Sequence, residues 1–195
     1  VRALAKIHEL IQGFPFLEGP DRSVALAAIV TGIIRRNIRT APLFAFRAPK
    51  MGSGKSLLAD VVSMMATGRP APAMPQGKDE DEDRKRMLAL LLEGDPVSLI
   101  DNIERPFASS ALCSILTQTT FKDRILGRTG TATVPTCTTW LATGNNLIIA
   151  GDLTPRTPVC DLDAKAEPPE ERASAANLYA TLPPHRPPLF PPVPR

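Results

Sequence analysis

Cysteine is scarce in this chain of 195 residues: Cys113, Cys137 and Cys160 are odd in number, and each lies more than twenty residues from the next. That supply suits neither a disulfide framework nor a zinc knuckle, so free thiols in a reducing compartment are expected. Long apolar runs are also missing. The longest, residues 24–34, includes Thr31 and Gly32 and is too short to span a bilayer. No basic N-terminal segment leads into an apolar stretch and a cleavage site, so a cytoplasmic location without a membrane partner is the expectation. The chain begins at Val1, which suggests a trimmed or partial sequence. Nor is there a large excess of one charge: a net +3 argues for nucleic acid only if the basic residues cluster. What remains, 43% hydrophobic and 22% charged residues, is the composition of a globular domain, at a length sufficient for one substantial unit.

The most informative stretch that is present is Ala-Pro-Lys-Met-Gly-Ser-Gly-Lys-Ser, residues 48–56, set between the apolar run 43–46 and an expected helix over 55–66. A nucleoside triphosphate carries several negative charges, and a glycine-rich turn brings successive backbone N–H groups round them. Gly52 and Gly54 permit the approach, Lys55 reaches the β- and γ-phosphates, and the Ser56 hydroxyl meets Mg²⁺. Gly52, Ser53, Gly54, Lys55, Ser56 and Leu57 form the nucleotide-binding set, and the helix points its positive end at the same phosphates. Pro49 stands where the pattern G-x-x-x-x-G-K-[ST] has its first glycine. An ordinary glycine turn before a surface helix is the plainer alternative, and the apolar flanks argue against it.

Upstream, Asp21 or Ser23 is expected to cap a helix carrying Leu26, Ile29, Val30, Ile33 and Ile34 at helical spacing. Arg35, Arg36 and Arg39 fall in its last turns, where cations complement the helix dipole; contact with DNA is the alternative for them. Residues 1–40 thus read as a helical lead-in. After the phosphate loop comes a short strand near residues 71–74. The acidic run 79–83 then leads into Arg84-Lys85-Arg86 and an apolar stretch. A metal site is conceivable there, but a helix start with Glu80–Arg84, Asp81–Lys85 and Glu82–Arg86 pairs is simpler. Buried strands are expected at 97–100 and 138–142, with a helix over 109–118 between them. Strands alternating with helices imply a parallel sheet, with ligands beyond the carboxyl ends of its strands. The last segment, 164–195, is acidic and then proline-rich, with seven prolines in 183–194; it is expected to be extended or disordered, or a non-native or truncated end.

Two further polar motifs fall at strand ends, and an arginine trails the second. The run Val97-Ser98-Leu99-Ile100 delivers Asp101, the carboxylate magnesium needs, followed by Asn102 and Glu104. Hydrolysis of ATP also needs a group that orients the attacking water, and Glu104 is the candidate. Trp-Leu-Ala-Thr-Gly-Asn-Asn, residues 140–146, places Asn145 beside the γ-phosphate; as an isolated residue Asn145 would read equally well as a turn. Arg156 follows eleven residues later and is suited to neutralising transition-state charge in a neighbouring subunit.

This set, in this order, resembles the AAA+ ATPases over residues 41–163, and within them the superfamily three helicases and the helicase parts of phage and prophage primase-helicase proteins. The stretches F-P-F, L-I-D-N-I-E-R-P and W-L-A-T-G-N-N-L are similar to phage-type replication ATPases. The resemblance implies an α/β P-loop fold with a central parallel sheet flanked by helices. Lys55 and Ser56 take the Walker A roles, Asp101 the Walker B role, Asn145 the sensor role and Arg156 the arginine-finger role. The implied cofactors and partners are ATP with Mg²⁺, single-stranded or forked DNA, a homo-oligomeric ring such as a hexamer, and a primase partner or fused primase module. In many related ATPases an acid directly follows the Mg²⁺ ligand; here that position is Asn102. The resembling helicases also carry a hairpin just before the sensor strand, and Lys122, Arg124 and Arg128 lie in or near an expected turn over 127–130. Bases there suit a phosphate backbone, although stacking aromatics are nearly absent; a solvated basic loop is the alternative. Two rival functions stand beside the helicase: an AAA+ ATPase remodelling protein partners, which would normally show an aromatic pore loop, and a nucleotide-binding fragment with little turnover.

Overall fold

The computed structural model describes residues 2–125 and 130–163. Two helices, α1 (Arg2–Ile11) and α2 (Gly19–Ile34), precede strand β1 (Leu43–Ala48). Helix α3 (Lys55–Thr67), strand β2 (Ala73–Pro75), helix α4 (Glu80–Glu93) and strand β3 (Val97–Asp101) follow. Helix α5 (Ser110–Thr117) leads to a hairpin, β4 (Thr120–Arg124) with β5 (Thr131–Pro135), and then to β6 (Thr139–Asn145) and the short β7 (Val159–Asp161). The result is an α/β fold in which five parallel strands run in the order β2-β3-β6-β1-β7 between layers of helix. Among the described residues no helix is long and apolar enough to cross a membrane.

The near-continuous apolar runs of β1, β3 and β6 are what a parallel sheet covered on both faces demands. Alternation along β1 splits its side chains between two cores. Phe44, Phe46 and Ala48 join Ile29 of α2 and Leu58, Val61 and Val62 of α3. Leu43 and Ala45 join Trp140 and Ala142 of β6 with Met87, Leu91 and Leu112 of α4 and α5.

Several local details depart from expectation. Glu18, not Asp21 or Ser23, is the N-cap of α2. Gly19 and Pro20 fill the first helical positions, where a missing donor costs nothing, and Asp21 reaches back to accept from the Glu18 N–H at 2.8 Å. Its other oxygen accepts from the Asp161 N–H at 2.7 Å, tying the start of α2 to β7. In α4 the Asp81–Lys85 and Glu82–Arg86 pairs form at 2.5 and 3.0 Å, but Glu80 does not pair with Arg84. Instead it accepts from the Ser110 N–H at the start of α5, while Arg84 bridges Asp81 and Asp123 of β4. A tertiary donor outcompeted the exposed i,i+4 pair, which is worth only a few tenths of a kcal/mol.

Arg35 is a second correction. It is 2% exposed, and its guanidinium donates to the carbonyls of Ile38, Thr136 and Thr138, so it is a clamp on the chain entering β6 and unavailable to DNA. Burial pushes its pKa down, opposed by Cys137 nearby. Removing the donors leaves the Thr136 and Thr138 carbonyls buried and unpaired. Arg35→Ala is therefore expected to cost about 3 kcal/mol, a fall in Tm of roughly 6–12 °C for a chain of this size, readable by thermal melting. Arg36 and Arg39, in contrast, are exposed.

Candidate functional site

Strand β1 ends at Ala48, and the chain turns through residues 49–54 into α3, with Gly54 as its N-cap. Gly52 and Gly54 have φ of 73° and 90°, the left-handed region that glycine occupies without steric cost. Ser53 is buried at the base of the turn, while Lys50 and Met51 are exposed at its tip. Phe14, from the connection between α1 and α2, packs against the turn: a Cβ on Gly54 would lie 3.4 Å from its ring.

The register of the sheet brings the expected residues together. Ala48 pairs with Asn145, so β6 ends beside the start of the loop. The Lys55 ammonium donates to Asn145 Oδ1 at 2.8 Å, to the Lys50 carbonyl at 3.0 Å and to Ser53 Oγ at 3.1 Å. An ammonium has three protons, and all three are engaged by protein acceptors. Burial pushes the Lys55 pKa down, and the nearby Asp101 carboxylate opposes that shift. Next to it, Ser56 Oγ donates to Asp101 Oδ1 at 3.2 Å. Lys55, Ser56, Asp101 and Asn145 thus form one constellation across the carboxyl ends of β1, β3 and β6, while Leu57 continues α3 behind it, half-buried against the core.

Two residues that sequence reasoning passed over hold this edge. The Thr143 hydroxyl donates to Asp101 Oδ1 and accepts from the Asn102 N–H at 3.1 Å. Gly144 lets the turn after β3 lie against β6: a Cβ there would stand 2.5 Å from the Ile103 carbonyl oxygen, and the Ile103 N–H donates to the Thr143 carbonyl at 2.8 Å. Asn102 takes a left-handed φ of 54° to make that turn, a conformation asparagine tolerates better than most residues. The available signal was the Thr-Gly pair at the end of an apolar strand, beside the more conspicuous Asn145.

Glu104, three residues after Asp101, is exposed and accepts from Asn102 Nδ2 at 3.0 Å. Arg156 is elsewhere. It ends a 3-10 turn, Gly151–Arg156, where its guanidinium donates to the Asp152 carbonyl and lies near Cys113 of α5; among the described residues none of its hydrogen bonds reaches the turn 49–54. On the hairpin, Lys122 and Arg124 are exposed on one face of β4, opposite Thr133 and Thr131 of β5. The other face carries Phe121, Ala132 and Val134 onto the core, and Asp123 to Arg84. Arg128 and most of the expected turn lie outside the described residues.

Mg²⁺ needs few protein ligands, typically one or two oxygens with phosphates and waters completing its shell. Ser56 Oγ and Asp101 fit that demand: they are adjacent, and none of the described residues donates a hydrogen bond to Asp101 Oδ2. Among the described residues no group of three or more His, Cys, Asp or Glu side chains could hold a metal without such help. No protein-family model matches the chain, and no curated protein matches it in sequence.

Proposed function

We propose that the chain is a P-loop ATPase of the AAA+ kind that binds and hydrolyses Mg-ATP, and that it serves as the motor part of a phage-type DNA helicase. The observation that carries the reading is the insertion of β6 between β1 and β3, which sets Asn145 against Lys55 and Asp101 against Ser56. A phosphate loop with an Asp-ended strand needs no such intermediate strand merely to bind phosphate. An amide placed between them is what lets a site respond to the γ-phosphate.

In this reading the backbone of residues 52–56 and the α3 N-terminus hold the phosphates. Lys55 exchanges its protein acceptors for β- and γ-phosphate oxygens, and Asn145, released from Lys55, holds the attacking water or the γ-phosphate. Ser56 and Asp101 would hold Mg²⁺, which supplies neutralisation of phosphate charge. Glu104 orients the water with Asn102 as its partner, and Arg156 acts on the site of a neighbouring copy in a ring, since it is not at its own. A second reading, nucleotide binding with little turnover, is favoured by one observation: Asn102 occupies the acid's position and engages Glu104.

The hairpin connects to the amino end of β6, whose seven residues span about 20 Å to Asn145 at the other end. Lys122 and Arg124 on that hairpin suit a single-stranded backbone, with a primase module as the natural associate. ATP hydrolysis is expected to rise when single-stranded DNA is added at low salt; no stimulation would sink the helicase reading while leaving the ATPase intact. Lys122→Ala with Arg124→Ala is expected to lower the slope of log affinity against log salt by about 1 to 2, since about 0.7 of a counterion is released per contact on single strands. An unchanged slope places DNA elsewhere.

A further inference from the structure

The backbone ladder between β3 and β6 ends at Ile100 and Ala142, one residue short of Asp101. From there a side chain takes over. Thr143 is 1% exposed, and its hydroxyl accepts from the Asn102 N–H at 3.1 Å. With a lone pair thus occupied, its proton goes to Asp101 Oδ1, because a hydroxyl can donate once and accept twice. Ser56 brings a second hydroxyl to the same oxygen, from α3, at 3.2 Å. Two donors converge on Oδ1 and none of the described residues donates to Oδ2. A carboxylate on a strand end is otherwise free to rotate about its last bond. Here it is held from both sides, with one oxygen committed to the protein and one left over.

We propose that Thr143 is a positioning residue for a divalent cation at the phosphate loop, fixing the Asp101 carboxylate so that Oδ2 is available to Mg²⁺ or to a water on it. The proposal rests on the ATP-binding reading above. Groups that hydrogen-bond a metal's ligand and set its orientation typically alter metal affinity by about 10–100-fold when removed. Thr143→Val retains the branched shape and loses the hydroxyl; Thr143→Ser retains the hydroxyl.

The experiment is calorimetric titration of ATP into the full chain, in EDTA and across a series of Mg²⁺ concentrations. Wild type and Thr143→Ser are expected to share one Mg²⁺ half-saturation point. Thr143→Val is expected to need about 10–100-fold more Mg²⁺, with its ATP affinity in EDTA within about twofold of wild type. An unchanged Mg²⁺ requirement overturns the proposal, and so does an equal loss of affinity with and without Mg²⁺, which marks a purely structural role. Should the valine variant not fold, Thr143→Cys, a weak donor, is measured with the same two expectations. A wild-type chain that binds no ATP in either condition fails differently: it removes the ATP reading itself, and this proposal with it.

Discussion

Replacing Lys55 with alanine is expected to abolish stabilisation by ATP while leaving the unliganded fold intact. The ammonium joins Lys50, Ser53 and Asn145, but the group is half-buried at the mouth of the loop, so water can satisfy the three acceptors it leaves. The unliganded melting temperature should therefore change little. With ligand at 100 times its dissociation constant, a wild-type site gains about 2.7 kcal/mol, which is roughly 5–11 °C in Tm for a chain of this size. Lys55→Ala, tested at the same ATP concentration, should gain almost none of it, because charge-assisted bonds to phosphate are worth about 1.5–3 kcal/mol each. The expected fall in turnover is about a hundredfold or more, the usual consequence of removing one preorganised donor to developing charge. Equal ATP-induced shifts in both proteins would show that the loop does not hold the triphosphate.

Gly144→Ala is expected to have the second large effect, and on the site more than on the fold. The added Cβ would stand 2.5 Å from the Ile103 carbonyl oxygen and 3.1 Å from Leu147 Cβ. The first neighbour is backbone, so it cannot swing aside as a flexible side chain would. Either the turn at Asn102 and Ile103 moves away from β6, or the end of β6 moves away from the turn. The first displaces Asp101 and the second Asn145. Overpacking of this kind costs about 1–3 kcal/mol, a loss of roughly 2–12 °C in Tm. A misplacement near 1 Å at reacting groups costs about 10²-fold in rate. The variant should therefore remain folded yet turn over ATP about a hundred times more slowly. A folded Gly144→Ala protein with wild-type turnover would show that the close approach does not position the site.

Much of the architecture was legible because it is written in local pattern. The run 43–46, Gly52, Gly54 and the helical spacing that follows specify strand, turn and helix without tertiary help. The acidic start of α4 and the apolar runs ending at Asp101 and Asn145 do the same. The order of strands was not legible, because no local feature of residues 139–145 says that they insert between two strands that precede them in the chain. Strand β7, only Val159–Asp161, is too short to show a period; it exists because β1 offers it an edge. Glu80 accepts from the distant Ser110 N–H and not from its helical neighbour Arg84, and Asp21 adds the distant Asp161 N–H to its local bond with Glu18. Arg35 looked like one of three surface cations until the chain entering β6 closed over it.

The same division runs through the site. Lys55 and Ser56 announce themselves by residue type after a glycine turn, and Asp101 and Asn145 by residue type at the end of an apolar run. Thr143 and Gly144 do so only weakly, since the work of a threonine and a glycine at a strand end is defined by the second strand end folded against them. Their roles are relational, one a hydroxyl shared between Asp101 and Asn102, the other an absence of atoms where Ile103 passes. Arg156 stands out only by its order along the chain, and its place near Cys113 keeps it away from Lys55 and Asp101.

The most direct measurement is phosphate release from ATP by the purified chain in Mg²⁺, with Lys55→Ala as the blank. Steady release by the wild-type protein is expected to exceed the blank by about a hundredfold and to stop when Mg²⁺ is chelated. Release no faster than the blank, from a protein that is folded and saturated with ATP, would contradict the ATPase reading.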